Sequence, residues 1–172
     1  MEWEWKRIEK WLLTGGGPMN ITYEYRFGLP RNVVWKLIKN EKVLRNALPG
    51  CKSFAETSKG VYRAELDVNI GPLQDVMILD IWLHENVPST YQLKVNGKGN
   101  VGEIVGKADL VISDVDGGSK ITCKADAEVT GALALAGKRI LDSGANKGLD
   151  TFFQKVEKQI KRSIYEMRRS RK

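Results

Sequence analysis

Alternation between apolar and polar positions dominates the middle of the chain. Over 61 to 70, Tyr62, Ala64, Leu66, Val68 and Ile70 share one parity and Arg63, Glu65, Asp67 and Asn69 the other. That is the pattern of a half-buried strand. Over 119 to 130 the inward set is Ile121, Cys123, Ala125, Ala127 and Val129, opposite Lys120, Thr122, Lys124, Asp126 and Glu128. Over 100 to 113 it is Gly102, Ile104, Gly106, Ala108, Leu110 and Ile112, although Val101, Val105 and Val111 make the other face apolar too. The pattern predicts strands at about 19–28, 51–57, 60–70, 73–84, 89–98, 100–113 and 119–130. Turn signals separate them at Lys59-Gly60, Gly71-Pro72, Val87-Pro88-Ser89, Gly97 to Asn100 and Asp116-Gly117-Gly118. Links this short make neighbouring strands antiparallel.

Helical periodicity predicts two short helices, roughly 30–39 and 41–47, the first opening with Pro30 at a favoured first-turn position. A long helix is expected over about 132–166, its basic end suited to the negative pole of the helix dipole. Such a helix has to bury its apolar stripe on the sheet, so the fold class is α+β with the sheet gripping the helix.

That helix carries Gly137, Gly144 and Gly148, and an interior glycine costs a helix about 1 kcal/mol relative to alanine. With Leu141 and Phe152 they follow spacings of 4, 3, 4 and 4, which puts all five on one face. Opposite Gly102, Gly106, Ala108, Cys123, Ala125 and Ala127, small residues would meet small residues. Because interiors pack at a density near 0.75, the gap either closes by tight approach or is filled by a ligand. The second reading is preferred. It makes Leu141, Gly144, Gly148 and Phe152 the helix side of an apolar cavity, Met77 and Ile81 its sheet side, and Trp35, Leu48 and Pro49 a lid near its mouth.

A length of 172 residues with 42% hydrophobic content suits one compact domain, placed at 19–160. Residues 1–18, MEWEWKRIEKWLLTGGGP, hold three of the five tryptophans ahead of a Gly-Gly-Gly-Pro break. Trp5, Ile8, Trp11 and Leu12 fall on one side of a short accessory helix; the competing reading starts translation at Met19, with the glycines read from an upstream ribosome-binding sequence. The tail 161–172 carries six cations against Glu166, hence +5 of the net charge of +7. The remaining +2 argues against a nucleic-acid-binding face on the body. The tail instead suits an anionic membrane leaflet, at about 1 kcal/mol per basic residue near the surface. No apolar run is long enough to span a bilayer and no signal-peptide core opens the chain, so a cytoplasmic location is expected, with peripheral contact at the inner face of the membrane.

Candidate chemistry is sparse. His84 is the only histidine and has no partners for a metal site. Cys51 and Cys123 form no CxxC and read as reduced, Cys123 as a small buried hydrophobe. Asp75 shares the inward parity of Met77 and Ile81, and is expected at the solvated mouth. Val76, Ile78 and Trp82 form an apolar outer face that predicts a cover: a second subunit in a homodimer, a partner protein, or residues 1–13. No phosphate loop, nucleotide fingerprint or metal spacing occurs, so no catalytic residue, metal or cofactor is expected.

The segments VVWKLIKNEKVLRNALPGCKSF, GPL at 71–73 and ITCKADAEVTGALALAGKRILDSGANKGLDTFFQKV together resemble the CoxG family, the small G subunits associated with carbon monoxide dehydrogenase, over about residues 20–160. The motifs are Leu48-Pro49-Gly50-Cys51, Gly71-Pro72 and Gly131 leading into the small-residue helix. The resemblance implies the START-like (SRPBCC) helix-grip fold, a curved seven-stranded antiparallel sheet around a long carboxy-terminal helix and a hydrophobic cavity. It implies service to a molybdenum hydroxylase of the carbon monoxide dehydrogenase type, through membrane association or carriage of a quinone. Some relatives carry a membrane-anchoring extension, whereas a short basic tail supports reversible contact alone. The expected function is a non-enzymatic carrier of a quinone- or lipid-like molecule. The alternatives are a ligand-free docking scaffold for the enzyme and an enzyme acting on a hydrophobic substrate through Asp75.

Overall fold

The computed structural model describes residues 18–70, 72–86 and 89–170, so the expected helix in residues 1–13 and the end of the basic tail lie outside the described residues. The elements run β1 (Pro18–Phe27), α1 (Arg31–Leu37), α2 (Glu41–Ala47), β2 (Cys51–Ser58), β3 (Val61–Ile70), β4 (Leu73–Asn86), β5 (Thr90–Gly99), β6 (Gly102–Val115), β7 (Gly118–Thr130), α3 (Ala132–Leu135) and α4 (Lys138–Ser170). The strands form one antiparallel sheet in the order β1-β7-β6-β5-β4-β3-β2. Six strands follow the chain by hairpins, while β1 crosses back to pair with β7, Pro18 opposite Glu128 and Phe27 opposite Ser119.

The inward parities agree with the alternation. Tyr62, Ala64, Met77, Tyr91, Ile112, Ile121 and Cys123 are buried on the face that meets the helices. The short helices start as local chemistry dictates. Asn40 caps α2, its Oδ1 accepting from the backbone N–H of Lys42 at 3.0 Å and of Val43 at 3.3 Å. Pro30 stands one residue earlier than expected, as the N-cap of α1 with extended backbone.

The single helix expected over 132–166 is instead two. Gly137 has φ +90° and turns the chain from α3 into α4, so it lies outside the long helix and off its face. Upstream, Gly131 (φ +78°) lets α3 start hard against the sheet: a Cβ there would sit 2.8 Å from the Gly102 Cα. Leu133 N–H then donates to the Val101 carbonyl at 2.7 Å, which ties α3 to the β5–β6 turn.

Helix α4 also presents a different stripe. Leu141, Phe153, Val156 and Ile160 are its buried residues, with half-buried Ala145 and Leu149 between them. At about 100° per residue, Gly144 falls far round the helix from the middle of this stripe and Gly148 at its edge. Gly144 is exposed and Gly148 half-buried. The helical spacing of Gly144 and Gly148 is real, but the bulky residues set the helix phase because they gain most from burial.

Two glycines give a contrasting prediction. Gly131→Ala combines a left-handed backbone with a steric collision and is expected to destabilise the protein by about 2–4 kcal/mol in urea unfolding. Gly148→Ala, where a Cβ meets nothing within 4 Å, is expected to stabilise it by up to about 1 kcal/mol.

Candidate functional site

Three apolar clusters stand on the inner face of the sheet. One joins Tyr23 and Phe27 of β1 and Val34 of α1 to Phe153, Val156 and Ile160 of α4. A second gathers Met19, Val129, Leu133, Ala134 and Leu141 around α3. A third holds Phe54, Tyr62 and Ala64 at the β2–β3 edge. Between them Leu93 and Val95 of β5 are half-buried and belong to no cluster. On the same parity stand Gly97, Gly99 and, on β6, Gly106, so the middle of the inner face is low and apolar. Gly148 overhangs open space from the helix side. This thinly packed stretch of the inner face, bordered by the three clusters, is the candidate hollow.

The expected lining residues are distributed around this hollow. Met77 is buried beneath it, its Cε 3.4 Å from where a Gly97 Cβ would stand. Ile81 and Leu48 meet in the β2–β3 cluster, and Pro49 is half-buried next to Leu48. Leu141 closes the α3 end, and Phe152 stands half-buried beside Phe153 with ring centroids 5.0 Å apart. Trp35 packs on Tyr91 at 4.2 Å between centroids, and its carbonyl accepts the Tyr91 hydroxyl at 2.9 Å, which makes it a fixed wall. Gly144 drops out because its face is exposed. Gly102 drops out as a cavity residue as well: at φ +141° its missing Cβ would strike the Thr130 carbonyl, so it serves close backbone approach.

Sequence reasoning missed what holds the roof. Tyr23, Tyr25 and Phe27 line the inner side of β1 and all three rings contact Phe153, with centroids 5.7, 5.8 and 6.2 Å away. The Tyr23 hydroxyl donates to Asp150, and the Tyr25 hydroxyl to Glu157 Oε1 at 3.3 Å. Glu157 Oε2 also accepts the Gly28 N–H at 3.0 Å. The signal was available, because Asp150 and Glu157 are seven residues apart on one helix face and Tyr23 and Tyr25 share a strand parity. Burial, then the neighbouring Glu157 carboxylate, pushes the Tyr25 phenol up to about 12; Tyr23 is raised further by burial and Asp150.

The titratable groups singled out above are committed elsewhere. Asp75 is half-buried, not at a solvated mouth: its Oδ1 accepts the Val76 N–H at 2.8 Å and its Oδ2 the Val101 N–H at 3.0 Å. The second bond ties β4 to the β5–β6 turn, while the first is local to β4. Burial raises the Cys51 thiol and pushes Cys123 up to about 11, so both stay protonated at neutral pH. His84 is exposed on the outer face. Among the described residues no three His, Cys, Asp or Glu side chains converge as a metal site, and no helix is long and apolar enough to cross a membrane.

A groove of about 820 Å³ lies on the opposite, outer face, lined by Pro18, Trp82, Lys94, Asn96, Val105 and Lys107 among others. None of the nine expected lining residues borders it.

The family model for the G subunit of carbon monoxide dehydrogenase (CoxG) matches residues 24–161. No curated protein gives a significant sequence match. Among solved structures, a conserved protein from Geobacillus kaustophilus is similar at 26% identity and TM-score 0.76, over 86% of this chain and 97% of that one. The Zhui aromatase/cyclase of Streptomyces sp. R1128 is similar at 10% identity and TM-score 0.63, over 86% and 96%. The protein TTHA0849 from Thermus thermophilus reaches 11% and 0.63, over 84% and 99%. These likenesses establish the START-like helix-grip fold.

The tyrosine–carboxylate seam predicts alkaline sensitivity. Above pH 10 the unfolded chain loses phenolic protons that the folded chain keeps, so stability falls as pH rises towards about 12. One such group contributes up to about 1.4 kcal/mol per pH unit. Urea unfolding at pH 9 to 12 is expected to show this decline, and Tyr25→Phe to make it shallower while costing about 1 kcal/mol at pH 7.

Proposed function

The chain belongs to the CoxG family of carbon monoxide dehydrogenase G subunits, and from that premise we propose that it is a non-enzymatic carrier of a hydrophobic, quinone-like molecule held between sheet and helix. The observation that carries this reading is the inner face of β5, where Leu93 and Val95 lie half-buried among glycines and no core cluster includes them. Unfilled apolar surface of this kind loses dispersion contacts, and an apolar guest restores them. Ligand sites in general combine such walls with few polar groups. Family membership associates the chain with carbon monoxide dehydrogenase; delivery of the guest to that molybdenum hydroxylase at a membrane is the role proposed.

The end of α4 supports the membrane part of the role. Its last buried residue is Ile160, so residues 161–170 run about 15 Å further, and Tyr165 and Met167 are exposed among Lys161, Arg162, Arg168 and Arg169. Cations around two exposed amphipathic side chains suit reversible attachment to an anionic surface.

Two outcomes follow. The purified protein is expected to take up one equivalent of a short-chain ubiquinone, followed by tryptophan quenching, with binding at least tenfold weaker in Gly148→Leu and unchanged in Gly144→Leu. Equal binding by both folded variants would remove the hollow as the site. Co-sedimentation with vesicles containing phosphatidylserine is expected at low salt, to be lost at high salt, and to weaken in Arg168→Glu/Arg169→Glu.

A further inference from the structure

Helix α4 sorts its charges around its axis. Leu141, Phe153, Val156 and Ile160 fix the side that is buried. At about 100° per residue, the opposite side centres on Ile140, and within about 60° of that line stand Lys147, Lys155, Lys158, Lys161, Arg162 and Arg169, all exposed. No acidic residue shares this face. Asp150 and Glu157 turn towards β1 and accept its tyrosine hydroxyls, and Asp142 falls on the buried side with its Oδ1 shielded from solvent. Carboxylates reach only the margins, Glu157 at 4.0 Å from Lys161 and Glu166 at 3.4 Å from Arg162.

The row of cations extends about 33 Å from Lys147 to Arg169, so it is a property of the helix and not of its end alone. Exposed amphipathic and apolar side chains stand at both ends of the same face. Ile140 is 43% exposed next to Lys138 and Arg139, with Leu135 of α3 74% exposed just before the Gly137 break. Tyr165, 65% exposed, lies about 37 Å beyond Ile140 and within about 20° of the same line. Cations in a straight row between an aliphatic side chain and a tyrosine suit a helix lying in the plane of an anionic membrane interface. A nucleic acid would match the cations and leave Ile140 without an apolar contact.

We propose that α4 lies flat on an anionic bilayer along this whole face, Ile140 and Tyr165 meeting the acyl boundary, so that the inner side of the sheet faces the membrane across the helix. The inference rests on the membrane contact proposed above for residues 161–170 and extends it from the helix end to the full length of α4. With the end alone in contact and the helix upright, Lys155 would stand about 21 Å and Lys147 about 33 Å from the lipid, both beyond the Debye length of about 10 Å at 0.1 M salt. Laid flat, both lie within it.

The test measures partitioning of the full chain onto phosphatidylcholine vesicles containing phosphatidylserine, at about 0.1 M salt. Lys147→Glu/Lys155→Glu is expected to weaken binding at least fivefold, and the charge-preserving Lys147→Arg/Lys155→Arg to stay within twofold of the unsubstituted chain. Lys94→Glu/Lys107→Glu makes the same change in net charge on the outer face of the sheet, away from α4, and is expected to change binding less than twofold. Loss in Arg168→Glu/Arg169→Glu with none in Lys147→Glu/Lys155→Glu would confine the contact to the helix end and overturn the flat arrangement. Equal loss in all three glutamate variants would reduce the effect to net charge and overturn it as well. Retention on duplex DNA without vesicle binding would assign the stripe to nucleic acid, and an unsubstituted chain that binds neither would remove both this arrangement and the membrane contact on which it rests.

Discussion

The long helix is fastened chiefly to the edge strand β1 and to α2. Tyr23, Tyr25 and Phe27 on the edge strand β1 clasp Phe153, while Asp150 and Glu157 take hydroxyl and amide hydrogens from the same strand. Ring contacts of this kind add about 0.5–1.5 kcal/mol beyond area burial. The hydrogen bonds to carboxylates set the helix register as well as its position. A second anchor at the opposite end, α3 tied to the β5–β6 turn, depends on Gly131 and Gly102 approaching as only glycines can. Held there and against α2, α4 leaves Leu93 and Val95 of β5 outside every core cluster.

Small residues therefore play two different parts. Gly102 and Gly131 permit backbone contact, and a side chain at either would push α3 off the sheet. Gly97 and Gly106 keep the inner face of β5 and β6 low, and a Cβ at Gly148 would meet nothing within 4 Å. Both uses lower local propensity, and in both the benefit is a shape that larger residues would not leave.

The sheet was legible in the sequence because a period of two survives any tertiary context. Tyr62 to Ile70 and Ile121 to Val129 announce their parities, and short turns left little choice of topology. The helix was harder. Gly137, Gly144 and Gly148 fall at helical intervals of 7 and 4, but spacing alone cannot separate a helix interior from a positive-φ break, nor decide which of two adjacent faces is buried. Phe153, Val156 and Ile160 decide that by burial, and their face is the neighbouring one. Asp75 looked like a free carboxylate because one of its backbone donors, Val101, comes from the β5–β6 turn, whose approach to β4 no local pattern reveals. The cavity was read from the small residues of helix and sheet together with the family resemblance; of the nine expected lining residues, Gly144 lies on a face the helix turns to solvent.

The carrier role depends on the hollow having an occupant. Native mass spectrometry of gently purified protein, followed by solvent extraction, measures that directly. The expected result is one apolar small molecule per chain, released by extraction and restored by incubation with a quinone. A chain that arrives empty and gains no mass with quinone would contradict the carrier and leave the glycines to close packing.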